Sequence, residues 1–413
     1  MKILIVSTYD TAGGASKAAY KLHRSLLDYN IDSQMLVQSK LSDDFTVIQV
    51  DSKLERKIAA IRPFLDYLPI RRYKNRSTTL FSPSYLPFSS IVNKINKINP
   101  DIVHLQWIAG GMMTINDIAK INAPIVWNLR DMWPFTGGCH YNEFCDRYKE
   151  NCGQCKVLGS TKDNDLSRKI LNKKKKAYDK INNLTIVGLS HWIANCAKES
   201  RLFRSRKVIC LPNTIDTSRF QPLNKAFCRN ILNLPKNKRL IMFGAMGPTS
   251  NNRKGFNELK NAIKQIKNIS KVELVIFGAS KPKNPLKVDC NVHYIPRLHD
   301  QISLSILFSS ADVVVSPSIQ ENLSNVILES LSCGTPVVAF DIGGNSDMIK
   351  HKSNGYLAKP YDIHDIALGI EYVVYNTNYD TLCKNSRDSI LTKFSNEIVP
   401  KKYIELYENI YRG

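Results

Sequence analysis

Two glutamates eight positions apart are the residues in this chain whose types and spacing best suit chemistry. Glu321 lies in a polar loop, and Glu329 lies inside the predicted helix that follows, which Ser324 or Asn325 can cap. The apolar run 311–315 before the loop is typical of a buried parallel strand, and a helix N-terminus at the carboxyl end of such a strand suits a phosphate. The two carboxylates would flank that anion site as acceptors for sugar and ribose hydroxyls. The alternative is a solvated helix face beside an ordinary loop acid.

A second set of candidates suits the binding of a diphosphate. Arg253 and Lys254 lie between a predicted strand and the helix after it. Cationic side chains beside helix N-terminal amides stabilise a departing diphosphate without a metal. Gly13 and Gly14 follow the first predicted strand, where the absence of a Cβ lets the backbone approach a ligand. A plain tight turn is the alternative for the two glycines.

The segment 311–349 resembles the donor-site signature of the retaining family-4 glycosyltransferases of the GT-B fold. That signature is a Glu-x7-Glu pair, a small-Cys-Gly-x-Pro-Val run and a Gly-Gly turn. The residues in register with it are Glu321, Glu329, Cys333, Gly334, Pro336, Val337, Gly343 and Gly344. We also assign Leu323 and Ser324 of this segment to donor binding. Lys254 matches the family as well, whereas many members have the arginine a few residues before the lysine rather than next to it.

The segment 128–159 resembles a subgroup of these enzymes found in capsule, O-antigen and exopolysaccharide pathways, through its Asp-Met-Trp-x-Phe-Thr-Gly-Gly-Cys-His-Tyr core. Many members have a histidine directly before the aspartate, but this chain has Arg130. The candidates here are therefore Arg130, Asp131 and His140. An arginine stays protonated, so Arg130 suits anion binding better than base catalysis. Weaker matches to the family nominate Gly13, Gly14, Ser190 and Asn213 as further site residues.

The resemblance implies a hexosyltransferase of family 4. Such an enzyme moves a sugar from a UDP- or GDP-linked donor to a hydroxyl of a glycan acceptor, here a lipid-linked one, with retention of configuration and with no required cofactor. In this interpretation Arg253 and Lys254 stabilise the departing diphosphate, Glu321 orients the sugar and Glu329 holds the ribose. No Asp-x-Asp element occurs in a suitable strand context, so we do not expect a catalytic metal.

Elements that could position these residues follow from the alternation of buried strands with amphipathic helices, which predicts an α/β fold with parallel sheets. A chain of 413 residues is too long for one core. The predicted strands are 3–6, 34–37, 102–105, 125–129 and 184–189, then 240–243, 272–277, 292–295, 311–315 and 337–340. We predict two Rossmann-like domains facing a central cleft, acceptor-side at 1–190 and nucleotide-sugar-binding at 191–390. The resemblance implies that a terminal helix, 391–413, crosses back to the first domain.

Four of the ten cysteines are closely spaced in the sequence. They follow the pattern C-x5-C-x6-C-x2-C and are Cys139, Cys145, Cys152 and Cys155. Four thiolates close a tetrahedral structural zinc site, and a Cys-Gly-Gln-Cys knuckle suits such a site. Structural zinc is therefore one interpretation, and unliganded thiols or a redox pair are the others.

The net charge of +22, from 58 Lys and Arg against 36 Asp and Glu, indicates an anionic partner or a compositional bias. Eight basic residues between positions 53 and 76 are interleaved with aromatic rings that continue to position 88, and lysines 173–176 form a second basic cluster. The segment 53–88 is typical of a surface that contacts anionic lipid headgroups. The alternative is that its rings pack into the core and its charges face water.

The sequence lacks nucleic-acid-binding motifs, an apolar run long enough for a membrane span and the features of a signal peptide. We therefore expect a cytoplasmic protein, peripheral at the inner face of the plasma membrane, with a nucleotide sugar and a glycan as partners and no nucleic acid.

Other functions fit parts of the pattern. A GT-B fold also hosts sugar-nucleotide epimerases, which need no acceptor, and phosphorylases, whose pyridoxal cofactor needs a lysine context that this sequence does not show. The basic charge alone would fit a nucleic-acid-binding protein, whose binding to random DNA would depend on salt and would be undiminished by nucleotide sugar.

Overall fold

The computed structural model describes residues 1–49, 53–244, 252–281, 286 and 288–413. Residues 245–251, which belong to the loop before Arg253, lie outside the described residues. The chain forms two compact units. The first unit comprises Met1–Asn213 and Pro400–Gly413, and the second comprises Thr214–Val399.

The strands are β1 (Lys2–Tyr9), β2 (Asp32–Ser39), β3 (Val47–Ile48), β4 (Ile102–Leu105), β5 (Ile125–Leu129), β6 (Leu184–Gly188), β7 (Lys207–Cys210), β8 (Arg239–Gly244), β9 (Val272–Phe277), β10 (Val292–Ile295), β11 (Val313–Ser316), β12 (Val337–Phe340) and β13 (Gly355–Ala358). Within the described residues the first unit has a seven-stranded sheet, ordered β3-β2-β1-β4-β5-β6-β7. The second unit has a six-stranded sheet, ordered β10-β9-β8-β11-β12-β13. Neighbouring strands in both sheets pair in parallel.

The helices are α1 (Gly13–Asp28), α2 (Lys53–Asp66), α3 (Ile91–Ile98), α4 (Ile115–Ile118), α5 (Leu166–Tyr178), α6 (His191–Glu199), α7 (Lys225–Ile231), α8 (Phe256–Ile263), α9 (Gln301–Ser310), α10 (Asn325–Ser332), α11 (Asn345–Met348), α12 (Ile363–Val374), α13 (Tyr379–Lys393) and α14 (Val399–Arg412). Alternation of strands and helices in each unit confirms the predicted α/β class with two parallel sheets.

The apolar runs of the sequence correspond to the central strands of both sheets. Every residue of β5, β6, β9, β11 and β12 is buried, as expected for parallel strands covered on both faces. Three strands were not predicted from the sequence. β3 has only two residues, β7 has no fully buried residue, and β13 begins with a glycine, which is a poor strand former. Such strands carry too weak an apolar signal to be recognised alone.

The first unit continues past residue 190, where we predicted its boundary. β7 pairs with β6 along the edge of the first sheet, so the chain stays with this unit through Asn213. The terminal helix α14 starts at Val399 rather than at 391, because α13 runs on to Lys393. Two buried tyrosines attach α14 to the first unit. The Tyr403 hydroxyl accepts from Asn128 Nδ2 at 2.9 Å, and the Tyr407 hydroxyl shares a 2.6 Å hydrogen bond with His104 Nδ1.

In each sheet the strand order reverses beside the strand that comes first in the chain. β1 lies between β2 and β4, and β8 lies between β9 and β11. The connections from two such neighbours leave in opposite directions, which opens a crevice at their carboxyl ends. Ligands bind at these switch points in open α/β sheets. Two positions, one in each unit, are therefore favoured as binding sites before any side chain is considered.

A buried carboxylate holds the second sheet to its neighbouring helix. Asp312, one residue before β11, is 1% exposed. It accepts from Arg229 Nη2 at 2.6 Å, from Lys225 Nζ at 2.9 Å and from the Leu240 N–H at 2.7 Å. Burial alone would raise the pKa of Asp312, but the charges of Lys225 and Arg229 and the Leu240 N–H hold it below its ordinary value. This network connects α7 to the start of β8 and β11.

We expect Asp312→Ala to lower the free energy of unfolding by about 3–5 kcal/mol, because Arg229 would stay buried without its carboxylate. Urea denaturation of the full chain, followed by circular dichroism, measures the change. Asp388→Ala removes an exposed carboxylate from α13 and should cost less than about 0.5 kcal/mol. The stabilisation by Asp312 should be complete above the unfolded pKa of about 3.9 and be lost as the pH falls through the lower folded pKa. A loss near that of Asp388→Ala would contradict this assignment.

Candidate functional site

A buried carboxylate with two cations lies at the switch point of the second sheet. Glu321, in the loop after β11, is 6% exposed. Its Oε2 accepts from Lys254 Nζ at 2.6 Å and lies 3.5 Å from Arg253 Nη1. Arg253 Nη1 also donates to the Gln320 carbonyl at 2.7 Å. The structure thus brings together three predicted site residues that stand 67 or 68 positions apart in the chain.

Close backbone packing brings these side chains together, and two glycines permit it. Gly255 has φ +77°, and a Cβ there would lie 1.8 Å from the Pro317 carbonyl oxygen. The Ile319 N–H donates to the Arg253 carbonyl at 2.9 Å. On the other side, a Cβ on Gly343 would lie 1.9 Å from the Glu321 carbonyl oxygen. The loop that carries Glu321 is therefore held between the cationic turn and the Gly-Gly turn.

The two cations keep Glu321 ionised although it is buried. Burial alone would raise the pKa of this carboxyl. The charges of Lys254 and Arg253, the hydrogen bond from Lys254 and the N–H of Asn322 outweigh burial and lower the pKa to about 2. The site therefore presents a carboxylate at neutral pH. Its Oε1 accepts the Asn322 N–H at a long 3.3 Å, which leaves lone pairs to accept from another donor.

The helix after this loop begins as the sequence predicted. Ser324 stands at the N-cap position of α10, and its side chain makes no capping hydrogen bond. Ser324 and Leu323 are both buried, and Glu329 lies half-buried in the second turn of α10. Gly334, with φ +73°, follows the end of the helix. The N-terminus of α10 thus lies a few residues after Glu321, in the same loop-to-helix segment.

In the first unit Arg130 forms hydrogen bonds with two amide side chains. Arg130, directly after β5, donates from Nε at 2.9 Å and from Nη2 at 2.6 Å to Gln106 Oε1, and from Nη1 to Asn213 Oδ1. Burial lowers the pKa of Arg130 to about 10, which leaves it protonated at neutral pH. Gln106 directly follows β4 at the switch point of the first sheet. Sequence reasoning missed Gln106, although its place immediately after a buried strand was a usable signal.

Asp131 has a different environment from Arg130. Its Oδ2 accepts from Trp107 Nε1 at 3.0 Å and bonds His140 Nδ1 at 2.6 Å, and its Oδ1 accepts from the Trp133 N–H at 2.9 Å. The other ring nitrogen of His140 bonds Ser82 Oγ at 2.8 Å, with His140 and Ser82 buried. The structure therefore brings Asp131 and His140 together. Because so many protein donors surround it, Asp131 is placed to hold the loop after β5.

Two other predicted positions lie at the starts of helices. Gly13 is the first residue of α1 and has φ +83°, and no atom of the part of the chain that the structure describes lies within 4 Å of where its Cβ would be. Gly14 is exposed beside it, so this turn after β1 lies at the surface at the switch point of the first sheet. Ser190 is instead fully buried, and its side chain caps α6 by accepting the Ile193 N–H at 3.3 Å. This hydrogen bond serves the fold.

A comparison with known families matches the part of the chain that contains the second sheet. Residues 237–376 match the family model described as Glycosyl transferases group 1. This range includes Arg253, Lys254, Glu321 and Glu329, and its description agrees with the resemblance found in the sequence.

Curated relatives match over part of their length. An uncharacterized glycosyltransferase of Methanocaldococcus jannaschii is 29% identical over 165 residues, which cover 38% of this chain and 42% of the relative. An Escherichia coli protein named UDP-Gal:alpha-D-GlcNAc-diphosphoundecaprenol alpha-1,3-galactosyltransferase is 28% identical over 197 residues, which cover 46% of this chain and 51% of the relative. The chain thus spans about half the length of the curated relatives it matches.

Solved structures match over the whole chain. Sucrose-phosphate synthase from Thermosynechococcus elongatus superimposes with a TM-score of 0.69 at 17% identity and covers 100% of both chains. Anabaena HepE, solved with UDP-glucose, gives a TM-score of 0.65 at 14% identity and covers 99% of this chain and 100% of HepE. At these identities the likeness shows the fold, which is GT-B.

Proposed function

We propose that this chain is a glycosyltransferase of family 4 that moves a sugar from a nucleotide-sugar donor to a hydroxyl of a glycan acceptor, with retention of configuration. The observation that carries the proposal is the buried Glu321 carboxylate paired with Lys254 and Arg253 at a switch point, within the range that matches Glycosyl transferases group 1. A carboxylate for sugar hydroxyls, cations for phosphates and a helix N-terminus together suit a sugar diphosphate.

Comparisons support the choice of substrates. The Escherichia coli relative is named for a UDP-linked galactose donor and an acceptor on diphosphoundecaprenol, and Anabaena HepE was solved with UDP-glucose. We therefore propose a UDP-linked hexose as the first donor to test, with GDP-linked sugars as the alternative, and a lipid-linked glycan as the acceptor class.

The proposed mechanism divides the work among the charged residues of the second unit. When the donor binds, Lys254 and Arg253 contact its diphosphate instead of Glu321. Glu321 then accepts a hydrogen bond from a sugar hydroxyl, and Glu329 accepts hydrogen bonds from the ribose hydroxyls. The bond from the anomeric carbon to the phosphate oxygen breaks, and the bond to the acceptor oxygen forms on the same face. The proton of the acceptor hydroxyl passes to the departing diphosphate, whose charge the two cations stabilise.

Glu321 and Glu329 should affect different kinetic constants. Glu321→Gln keeps the shape of this buried side chain but removes its negative charge. It should lower kcat at least about 100-fold, because that charge orients the transferring sugar. Glu329→Ala should weaken donor binding by about 10-fold with little change in kcat, because it removes a hydrogen bond to a charged group. Initial rates at varied donor concentration separate the two effects.

Two controls accompany these variants. Asp388→Ala should behave as the parent, and circular dichroism should show that every variant is folded. Near-normal turnover of folded Glu321→Gln with the correct donor would contradict the proposed role of Glu321. Conversion of the nucleotide sugar without any acceptor would indicate an epimerase instead.

The leaving diphosphate should be stabilised by side chains alone. Activity measured directly after addition of EDTA should equal that of the untreated enzyme, and added magnesium or manganese should change the rate by less than about twofold, since Lys254 and Arg253 supply the charge. A rate that disappears with EDTA and returns with magnesium or manganese would assign this role to a metal.

The segment 53–88 carries both structural and exposed residues. Arg62, one of the eight basic residues, is buried and donates to the carbonyls of Gly111, Leu86 and Pro87. Its role is therefore structural. The large exposed apolar side chains, with their exposed fractions, are Ile58 (40%), Ile61 (53%), Phe64 (56%), Leu68 (38%), Leu80 (49%), Tyr85 (39%) and Phe88 (95%). The exposed basic residues of the same segment are Arg56, Lys57, Arg71, Arg72 and Lys74.

We propose that this surface, the 56–88 surface, rests on an anionic lipid bilayer and brings the enzyme to a lipid-linked acceptor. Apolar side chains flanked by bases match a membrane interface in both chemistry and charge. Tyr67 and Tyr73 instead pack against the core, and Phe81 is buried, so only part of the aromatic set is available. No helix among the described residues is long and apolar enough to span a bilayer.

Removing three of these bases should weaken binding to anionic vesicles on the order of 100-fold, at about 1 kcal/mol for each basic residue near the surface. The variant is Arg71→Ser, Arg72→Ser and Lys74→Ser combined, measured by sedimentation with phosphatidylglycerol vesicles. A matched control removes the same charge from the exposed Lys236, Lys264 and Lys267 of the second unit. Equal binding to neutral and anionic vesicles, or equal loss in the control, would assign the surface no lipid role.

A further inference from the structure

The loop between β5 and α5 is unusually long and irregular. Residues 130–165, all of them described, form no α-helix or β-strand, and loops beyond about 15 residues without regular structure are uncommon in compact domains. This loop nevertheless holds Arg130, Asp131 and His140, which are buried or half-buried in the first unit. Something besides secondary structure must hold its backbone in place.

Four cysteines of this loop surround one small cavity. Cys139, Cys145, Cys152 and Cys155 all line it, together with Arg147 and Lys156, and its volume of about 20 Å³ has room for one water-sized species. All four thiols are free. Among the described residues no three of these sulfur atoms lie within 4.8 Å of one another. Zinc binding would therefore require the side chains to move until each sulfur lies about 2.3 Å from a common ion.

Backbone N–H groups lie beside two of the four sulfurs. The N–H groups of Val157 and Leu158 interact with the Cys155 sulfur, and the N–H of Gly137 interacts with the Cys152 sulfur. Burial raises the pKa of the Cys152 thiol to about 12 and that of the Cys155 thiol to about 11, and these N–H groups act against that rise. Outer-shell donors of this kind orient the ligands of a bound metal. The Cys-Gly-Gln-Cys turn therefore already has the donors that a metal knuckle uses.

A buried lysine beside the cavity is complementary in charge to a zinc–thiolate site. Lys174 of α5 is fully buried and lies 3.8 Å from the centroid of the Trp133 ring. Its ammonium donates to the carbonyls of Trp133 and Thr136. Burial lowers the pKa of Lys174 to about 7, and the nearby thiols of Cys139 and Cys152 and the carboxyl of Asp131 act against that shift. Four thiolates around a divalent ion carry a net charge of about −2, which would give this buried cation a countercharge.

We propose that Cys139, Cys145, Cys152 and Cys155 bind one structural zinc ion that cross-links the loop between β5 and α5. Binding replaces four S–H bonds with four zinc–sulfur bonds and releases four protons to solvent, with no change of oxidation state. Cys139 directly precedes His140, so the ion fixes the residue that bonds Asp131. This inference is independent of the proposed transfer reaction.

The test measures metal in the full-length protein, purified without an affinity tag or chelator. Inductively coupled plasma mass spectrometry should find about one zinc ion per chain. The Cys152→Ser, Cys155→Ser double variant should retain less than about one tenth of this amount. Cys290→Ser, a half-buried thiol of the second unit, should retain all of it.

A second measurement uses the unmodified protein, in case the double variant does not fold. Titration with an organomercurial should release the zinc as about four thiols react, and replacement by cobalt should give thiolate-to-cobalt charge transfer with the visible bands of a tetrahedral site. Protein without zinc that also takes up no cobalt would overturn the proposal. Intact masses showing disulfides among these cysteines, or full zinc in the double variant, would do so as well.

Discussion

The ion pair between Glu321 and Lys254 is the interaction on which the candidate site depends. A carboxylate so far from water would normally take up a proton, and two cations reverse that tendency and lower its pKa to about 2. Removing Glu321 would leave two half-buried cations without their carboxylate, and removing Lys254 would leave the buried carboxylate with Arg253 alone. The pair therefore holds the loop after β11 against the turn before α8, and it keeps the buried carboxylate of Glu321 ionised.

The sheet supplies the position of this pair. β8 and β11 are neighbours at the point where the strand order reverses, so the segments after them meet at one edge although they are far apart in sequence. Gly255 and Gly343 allow the backbones to approach closely enough for the side chains to pair. In the first unit Gln106 and Arg130 meet after β4 and β5 in a similar way. The same topology thus creates a polar site in each unit from different residue types.

Much of this arrangement could be predicted from the sequence, because it depends on local patterns. Apolar runs predict the central strands, and the resemblance of 311–349 to a glycosyltransferase signature singles out Glu321 and Glu329 as candidates. The partners of each side chain could not be predicted. Lys254 was assigned to a phosphate rather than to Glu321, since nothing local relates residues 67 positions apart. Arg62 looked like a surface base but binds buried carbonyls, and Asp312 gave no signal, because a lone aspartate before a strand is common.

The most direct test of the account is the melting temperature of the parent protein and of Lys254→Gln with a panel of UDP- and GDP-linked sugars. A ligand at about 100 times its Kd stabilises the native state by about 2.7 kcal/mol, which corresponds to a rise of about 5–10 °C for a unit of this size. The account predicts such a rise with at least one nucleotide sugar, and most of it should be lost in Lys254→Gln. Absence of any shift at millimolar concentrations, or an equal shift in both proteins, would contradict the claim that this cation binds the donor diphosphate.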